Sequence, residues 1–219
     1  MEEKRIALVS EAGNGLGKTF AQLLVNNNYK VILVATKESF EILSAEGNSM
    51  RDYALVELDF TSEESFVRLK KKIDVEYGRL DLLLNNAEIV NGFGHKIDQL
   101  DIGEVKHLYE INFYSVLRMV QTMKSLLERS LQPKIINITS ALGDLCKMTD
   151  EDFCYSDYIL TAYSTSKAAI NMYTHLQCKE FKADKIAIHS FDPVVLKNCT
   201  YNSVVIRDEV KDEFMALIN

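Results

Sequence analysis

The chain has 219 residues, enough for one domain with a sizeable core. Hydrophobic residues make up 47%, which argues against disorder, and a formal net charge of -7 argues against nucleic acid or an anionic membrane as the main partner. No signal peptide or bilayer-length apolar run is visible. Cys146, Cys154, Cys178 and Cys199 form no Cys-x-x-Cys pair and the four histidines are scattered, which predicts free thiols in a reducing cytosol and no metal site.

In chain order, six short apolar runs read as strands: Ile6–Val9, Val31–Ala35, Ala54–Leu58, Leu80–Leu84, Ile135–Ile138 and Ile186–Phe191. They are apolar without strict alternation, as in a parallel sheet covered on both faces. Segments at helical spacing lie between them. Leu16–Val25 carries Phe20, Leu23 and Leu24, and Thr61–Tyr77 opens on a capping-box pattern and presents Phe66, Leu69 and Ile73. Asp101 caps a stretch running to about Leu127, and Ala162–Phe181 and Glu209–Ile218 follow, the last with Val210, Phe214 and Leu217 as its apolar face. Alternating strand and helix predicts a single α/β domain, a Rossmann-type doubly wound parallel sheet of about six strands with helices on both faces and no seventh, C-terminal strand. Asp144–Thr161 is polar, acidic and tyrosine-bearing, and reads either as a pocket wall or lid or as a solvated surface insertion.

The first turn, Ser10-Glu11-Ala12-Gly13-Asn14-Gly15-Leu16-Gly17, follows a strand and opens a helix. That is the setting in which glycines let a pyrophosphate approach backbone amides at a helix N-terminus. Later come Asp59-Phe60 after the third strand, Asn85-Asn86-Ala87-Glu88 after the fourth, Asn112 in a helical stretch, Ser140 after the fifth strand, and Tyr163-Ser164-Thr165-Ser166-Lys167. Four residues apart on a helix, Tyr163 and Lys167 share a face. Alone, that spacing describes many half-buried tyrosines beside solvated lysines; its company in this order is what marks it.

Together these motifs resemble the short-chain dehydrogenase/reductase family, and the likeness runs from Ile6 to about Asn198. The resemblance implies a tetrad of Asn112, Ser140, Tyr163 and Lys167. Tyr163 would be general acid in carbonyl reduction and general base in alcohol oxidation. A free phenol ionises near pH ~10, so Lys167 and the oxidised nicotinamide would lower it. Ser140 would orient the carbonyl, Lys167 would also hold the nicotinamide ribose, and Asn112 would hold a water leading to solvent. A nicotinamide dinucleotide would lie along Ser10, Gly13, Asn14, Gly15, Leu16 and Gly17, then Asp59, Phe60, Asn86 and Ala87, and reach Tyr163, Lys167, Pro193 and Asn198. Asp59 would bond adenine or merely cap the following helix. No acid stands at 35–37, and Lys37 could meet a 2′-phosphate, so NADP is expected ahead of NAD.

The chain departs from the family at Glu11 and Glu88, where glycines are usual, and at Val194 after Pro193. Two expectations therefore stand side by side. The first is an NADP-dependent oxidoreductase of a small-molecule carbonyl or alcohol, cytoplasmic. The second is a weakly active or inactive relative working as a binding or regulatory protein. The segments Lys106–Leu127 and Ala162–Phe181 would permit a homodimer.

Overall fold

The computed structural model describes residues 3–11, 15–45, 53–92, 95–193 and 208–219. Gly13, Asn14 and Asn198, expected at the cofactor, lie outside the described residues. Six parallel strands form one sheet: β1 (Arg5–Ser10), β2 (Tyr29–Ala35), β3 (Tyr53–Glu57), β4 (Leu82–Asn85), β5 (Lys134–Ile138) and β6 (Ala187–Phe191). Their order is β3-β2-β1-β4-β5-β6, so the chain reverses direction across the sheet between β1 and β4. In open α/β sheets ligands bind outside the carboxyl ends of the strands at such a switch point.

Each buried strand feeds two cores, because successive side chains point to opposite faces. On one face Ile6, Leu8, Ile32, Val34, Leu83 and Ile135 meet Phe66, Leu69 and Ile73 of α3 (Glu63–Tyr77) and Met119, Val120 and Met123 of α5 (Ser115–Leu127). On the other, Ala7, Val9, Val31, Leu33, Leu84 and Ile136 meet Phe20 and Leu24 of α1 (Gly15–Asn26). Helix α8 (Asp208–Ile218) covers that same face, with the Phe214 ring 4.5 Å from Phe20. Its buried positions are Val210, Phe214 and Ile218; Leu217, expected to be buried, is partly exposed because Ile218 turns inward and its carbonyl accepts from Tyr29 and Arg5.

Helix α3 starts where its sequence places the cap: the Ser62 hydroxyl accepts the Ser65 N–H, and Gly78 ends the helix at φ 72°. The nine-residue α2 (Lys37–Ala45) is absent from the sequence expectation; it buries only Leu43, too little to print a helical stripe. The expected continuous helix after Asp101 is instead α4 (Ile102–Tyr109), a π turn over Glu110–Tyr114, and α5. The wider π turn, a feature frequent at functional sites, contains the buried Asn112. The stretch before α7 (Thr161–Glu180) is not an open loop throughout: Asp144 caps the short α6 (Leu145–Met148), and Phe153, Tyr155 and Tyr158 stack edge to face.

Candidate active site

Three elements bring the tetrad residues together at the carboxyl edge of the sheet. Ser140 follows β5 and caps a 3-10 turn over Ala141–Gly143, its Oγ accepting the Leu142 N–H at 3.3 Å. Gly143 in that turn lies against α7: a Cβ there would stand 2.6 Å from the Lys167 carbonyl carbon, so only glycine lets turn and helix approach this closely. Asn171, one turn beyond Lys167, fastens the same junction. Its amide donates to the Gly143 carbonyl at 3.1 Å, and its oxygen accepts from Thr139 at 2.5 Å.

Tyr163 and Lys167, on one face of α7, are both buried, Lys167 to 2% exposure. A buried ammonium needs partners. Its Nζ donates to the Ile138 carbonyl at 3.2 Å and pairs with Glu88 Oε2 at 2.5 Å. The Tyr163 phenol also donates to Glu88 Oε2, at 3.2 Å. Glu88, the residue in place of a motif glycine, thus holds both groups at once. Burial and the Glu88 carboxylate push the phenol well above its ordinary pKa, while a hydrogen bond from Ser140 pulls the other way. Lys167 was expected, together with a nicotinamide, to lower the phenol; here burial first and the Glu88 carboxylate second raise it.

Asn112 lies buried in the π turn and ties two segments together. Its Oδ1 accepts the Ile89 N–H at 2.8 Å, and its Nδ2 donates to the Ile89 carbonyl at 2.9 Å and to Ser166 Oγ at 3.3 Å. The side chain braces the segment after β4, next to Glu88.

On the cofactor side, Ser10 ends β1 buried, and its Oγ accepts the N–H groups of Asn86 and Ala87 at 2.8 and 3.0 Å. Asn86 returns the tie, donating to the carbonyls of Ser10 and Glu11. Gly15 opens α1 at φ 58° with nothing within 4 Å of where a Cβ would stand; Leu16 and Gly17 follow in the first turn. Asp59 is exposed, and its Oδ1 accepts both the N–H and the hydroxyl of Thr61, which holds its carboxyl below the usual range. Phe60 and Pro193 are buried, Phe60 within the sheet core, and Lys37 is exposed at the start of α2. Beside Ser140 opens a cavity of about 540 Å³, lined by Asp144, Leu145, Lys147, Asn171, Asp192 and Glu213 among others. Of the 144–161 stretch, Asp144, Leu145 and Lys147 line this cavity.

Sequence reasoning flags Glu88 as a departure but misses its pairing, and it misses Asn171. Helical spacing from Lys167 points to Asn171; only the sheet order, which sets the end of β4 beside β5, reveals Glu88. Among the described residues no group of three or more His, Cys, Asp or Glu side chains is placed to hold a metal ion, and no helix is long and apolar enough to cross a membrane.

The family model of the short chain dehydrogenases matches residues 5–209. Short-chain dehydrogenase/reductase 1 of Saponaria officinalis is 27% identical, over 95% of this chain and 84% of that protein. A short-chain dehydrogenase/reductase of Aspergillus fumigatus is 30% identical, over 91% and 81% of the two chains. The crystal structure of NADPH-bound carbonyl reductase from chicken fatty liver superposes with a TM-score of 0.77 at 23% identity, over 90% of this chain and 85% of that one. The sheet order, the placement of Ser140, Tyr163 and Lys167, and these likenesses agree: the chain belongs to the short chain dehydrogenases, a family of oxidoreductases.

Proposed function

We propose that the chain is a nicotinamide-dependent oxidoreductase that interconverts a small carbonyl compound and its alcohol, with Tyr163 moving the proton. The observation that carries this reading is the convergence of Ser140, Tyr163 and the buried Lys167 ammonium at the carboxyl edge of the sheet, where Ser140 also lines a cavity. The phenol gives its proton to the carbonyl oxygen in reduction and takes it back in oxidation, Ser140 aligns that oxygen, and Lys167 offsets charge on the phenolate. The residues present fit a dinucleotide. The open backbone at Gly15 and the α1 N-terminus suit a diphosphate, and Leu16, Gly17, Asp59, Phe60, Asn86, Ala87 and Pro193 would line the rest. Lys167 would also hold the ribose on the nicotinamide side. When bound, the nicotinamide supplies or accepts the hydride. Lys37, exposed at the start of α2, is the cation that a 2′-phosphate of NADP(H) would meet.

Glu88 favours a second reading, a weakly active or inactive relative that serves as a binding or regulatory protein. Its carboxylate already occupies both the ammonium and the phenol. A panel of aldehydes and ketones, assayed with NADH and NADPH by cofactor absorbance, separates the two. Turnover in the wild type that is lost in Tyr163→Phe supports the oxidoreductase. No turnover by folded wild type or by Glu88→Gly leaves the second reading.

The described cysteines, Cys146, Cys154 and Cys178, are in no disulfide, in keeping with a cytosolic location. Exposed Tyr114, Met172 and Leu176, on the π turn and α7, are the apolar surface a homodimer would use, to be checked by light scattering.

A further inference from the structure

The expectation of NADP(H) rests on Lys37 and on the lack of an acid at residues 35–37. In the fold the carboxyl end of β2 is not without one. β1 and β2 pair in parallel with Ser10 opposite Val34, so Glu11 lies beside Ala35. Its backbone is fixed on both sides: the N–H donates to the Val34 carbonyl at 2.7 Å, and the carbonyl accepts from Asn86 at 2.8 Å. It is held at φ 51°, in the left-handed region that a non-glycine residue seldom adopts. From there the side chain crosses to the next strand, and Oε2 accepts the Thr36 N–H at 3.1 Å. Thr36 stands between β2 and α2, so this carboxylate lies over the first turn of α2.

We propose that Glu11 makes the site selective for NAD(H) over NADP(H), by accepting the 2′-hydroxyl of the adenosine ribose and repelling a 2′-phosphate. This rests on the nicotinamide reading above. In a doubly wound sheet an acid near the end of the second strand bonds that hydroxyl, and a nearby cation accommodates the phosphate. Here the acid comes from the β1 turn instead of from β2. One of its oxygens is engaged by Thr36, and a carboxylate has about four acceptor positions, so capacity for the hydroxyl remains. Glu38, in the first turn of α2, adds a second negative charge. Lys37 opposes both, but its ammonium sits exposed on a flexible stem, whereas the Glu11 carboxylate is held in place by Thr36. A left-handed glutamate kept where the family has glycine is the kind of strained residue that clusters at ligand sites.

The test uses adenosine 5′-monophosphate and adenosine 2′,5′-bisphosphate, which differ only by the 2′-phosphate. Both are titrated into the full chain at low salt and followed by ligand-observed NMR. Neither fragment carries the nicotinamide end, so a catalytically dead Tyr163–Glu88 site leaves this experiment readable. The wild type should bind the monophosphate at least about tenfold more tightly. Glu11→Gln, which keeps an acceptor for Thr36, should erase most of that difference by strengthening the bisphosphate. Glu11→Gly, which suits the left-handed backbone, should do the same if the glutamine variant folds poorly. Equal or tighter binding of the bisphosphate to the wild type would overturn the proposal. So would a ratio that neither variant moves, or binding of neither fragment.

Discussion

Replacing Glu88 by glutamine should make Tyr163 far easier to ionise. The carboxylate oxygen lies 3.2 Å from the phenol oxygen. At that separation two unit charges repel by about 1.3 kcal/mol in a water-like medium and by about 5 kcal/mol at an effective dielectric of about 20. The Glu88 side chain is 28% exposed, so solvent screening keeps the repulsion nearer the first figure, and the tyrosinate midpoint should fall. The Lys167 ammonium, no longer neutralised, acts in the same direction. Lys167 keeps the Ile138 carbonyl and gains the amide oxygen as acceptor. The stability loss should therefore stay below the about 3–5 kcal/mol that deleting one partner of a buried pair costs. The assay is alkaline difference spectroscopy of tyrosinate, with Tyr163→Phe in each background as the subtraction. A Tyr163 titration that stays put or moves upward in Glu88→Gln would refute the electrostatic reasoning.

Tyr163→Phe should lower turnover by about 10²–10⁴-fold, the usual range for a lost general acid, with cofactor affinity near that of the wild type. Near wild-type turnover would remove Tyr163 from its role. Gly143→Ala forces a methyl within 2.6 Å of the α7 backbone. It should cost about 1–3 kcal/mol in urea unfolding and displace Ser140; an unchanged midpoint would mean that the turn moves freely. Burial also pushes Tyr173 up to about 12, alongside the raised Tyr163. Both folded values lie above the unfolded value of about 10, so this contribution is intact below pH ~10 and is lost as pH rises through the folded values. Stability measured by urea at successive pH should fall between about 10 and 12, and less steeply in Tyr173→Phe.

The sheet and the helix face shared by Tyr163 and Lys167 were legible for the same reason: their signals are local in sequence. Strands buried on both faces print continuous apolar runs, and Ile6–Val9 or Ile135–Ile138 needed only a residue or two added at the ends. Tyr163 and Lys167 share a helix face by spacing alone. What stayed hidden depends on tertiary placement. Helix α2 buries a single leucine, and the π turn alters helical phase by one residue without a breaker to announce it. The two glutamates at glycine positions were visible as departures, but their partners were not. Glu88 meets Lys167 only because β4 pairs with β5, and Glu11 reaches Thr36 only because β1 pairs with β2. Under the proposed function, each of these carboxylates would face one end of the dinucleotide.

In the proposed function the site takes a nicotinamide dinucleotide, with Glu88 as its internal rival for Lys167. Calorimetric titration of the wild type and of Glu88→Gly with NADH and NADPH tests it most directly. The wild type should bind at about micromolar concentration, more tightly for NADH, and Glu88→Gly at least about tenfold more tightly still. No heat from either cofactor with either folded protein would contradict it.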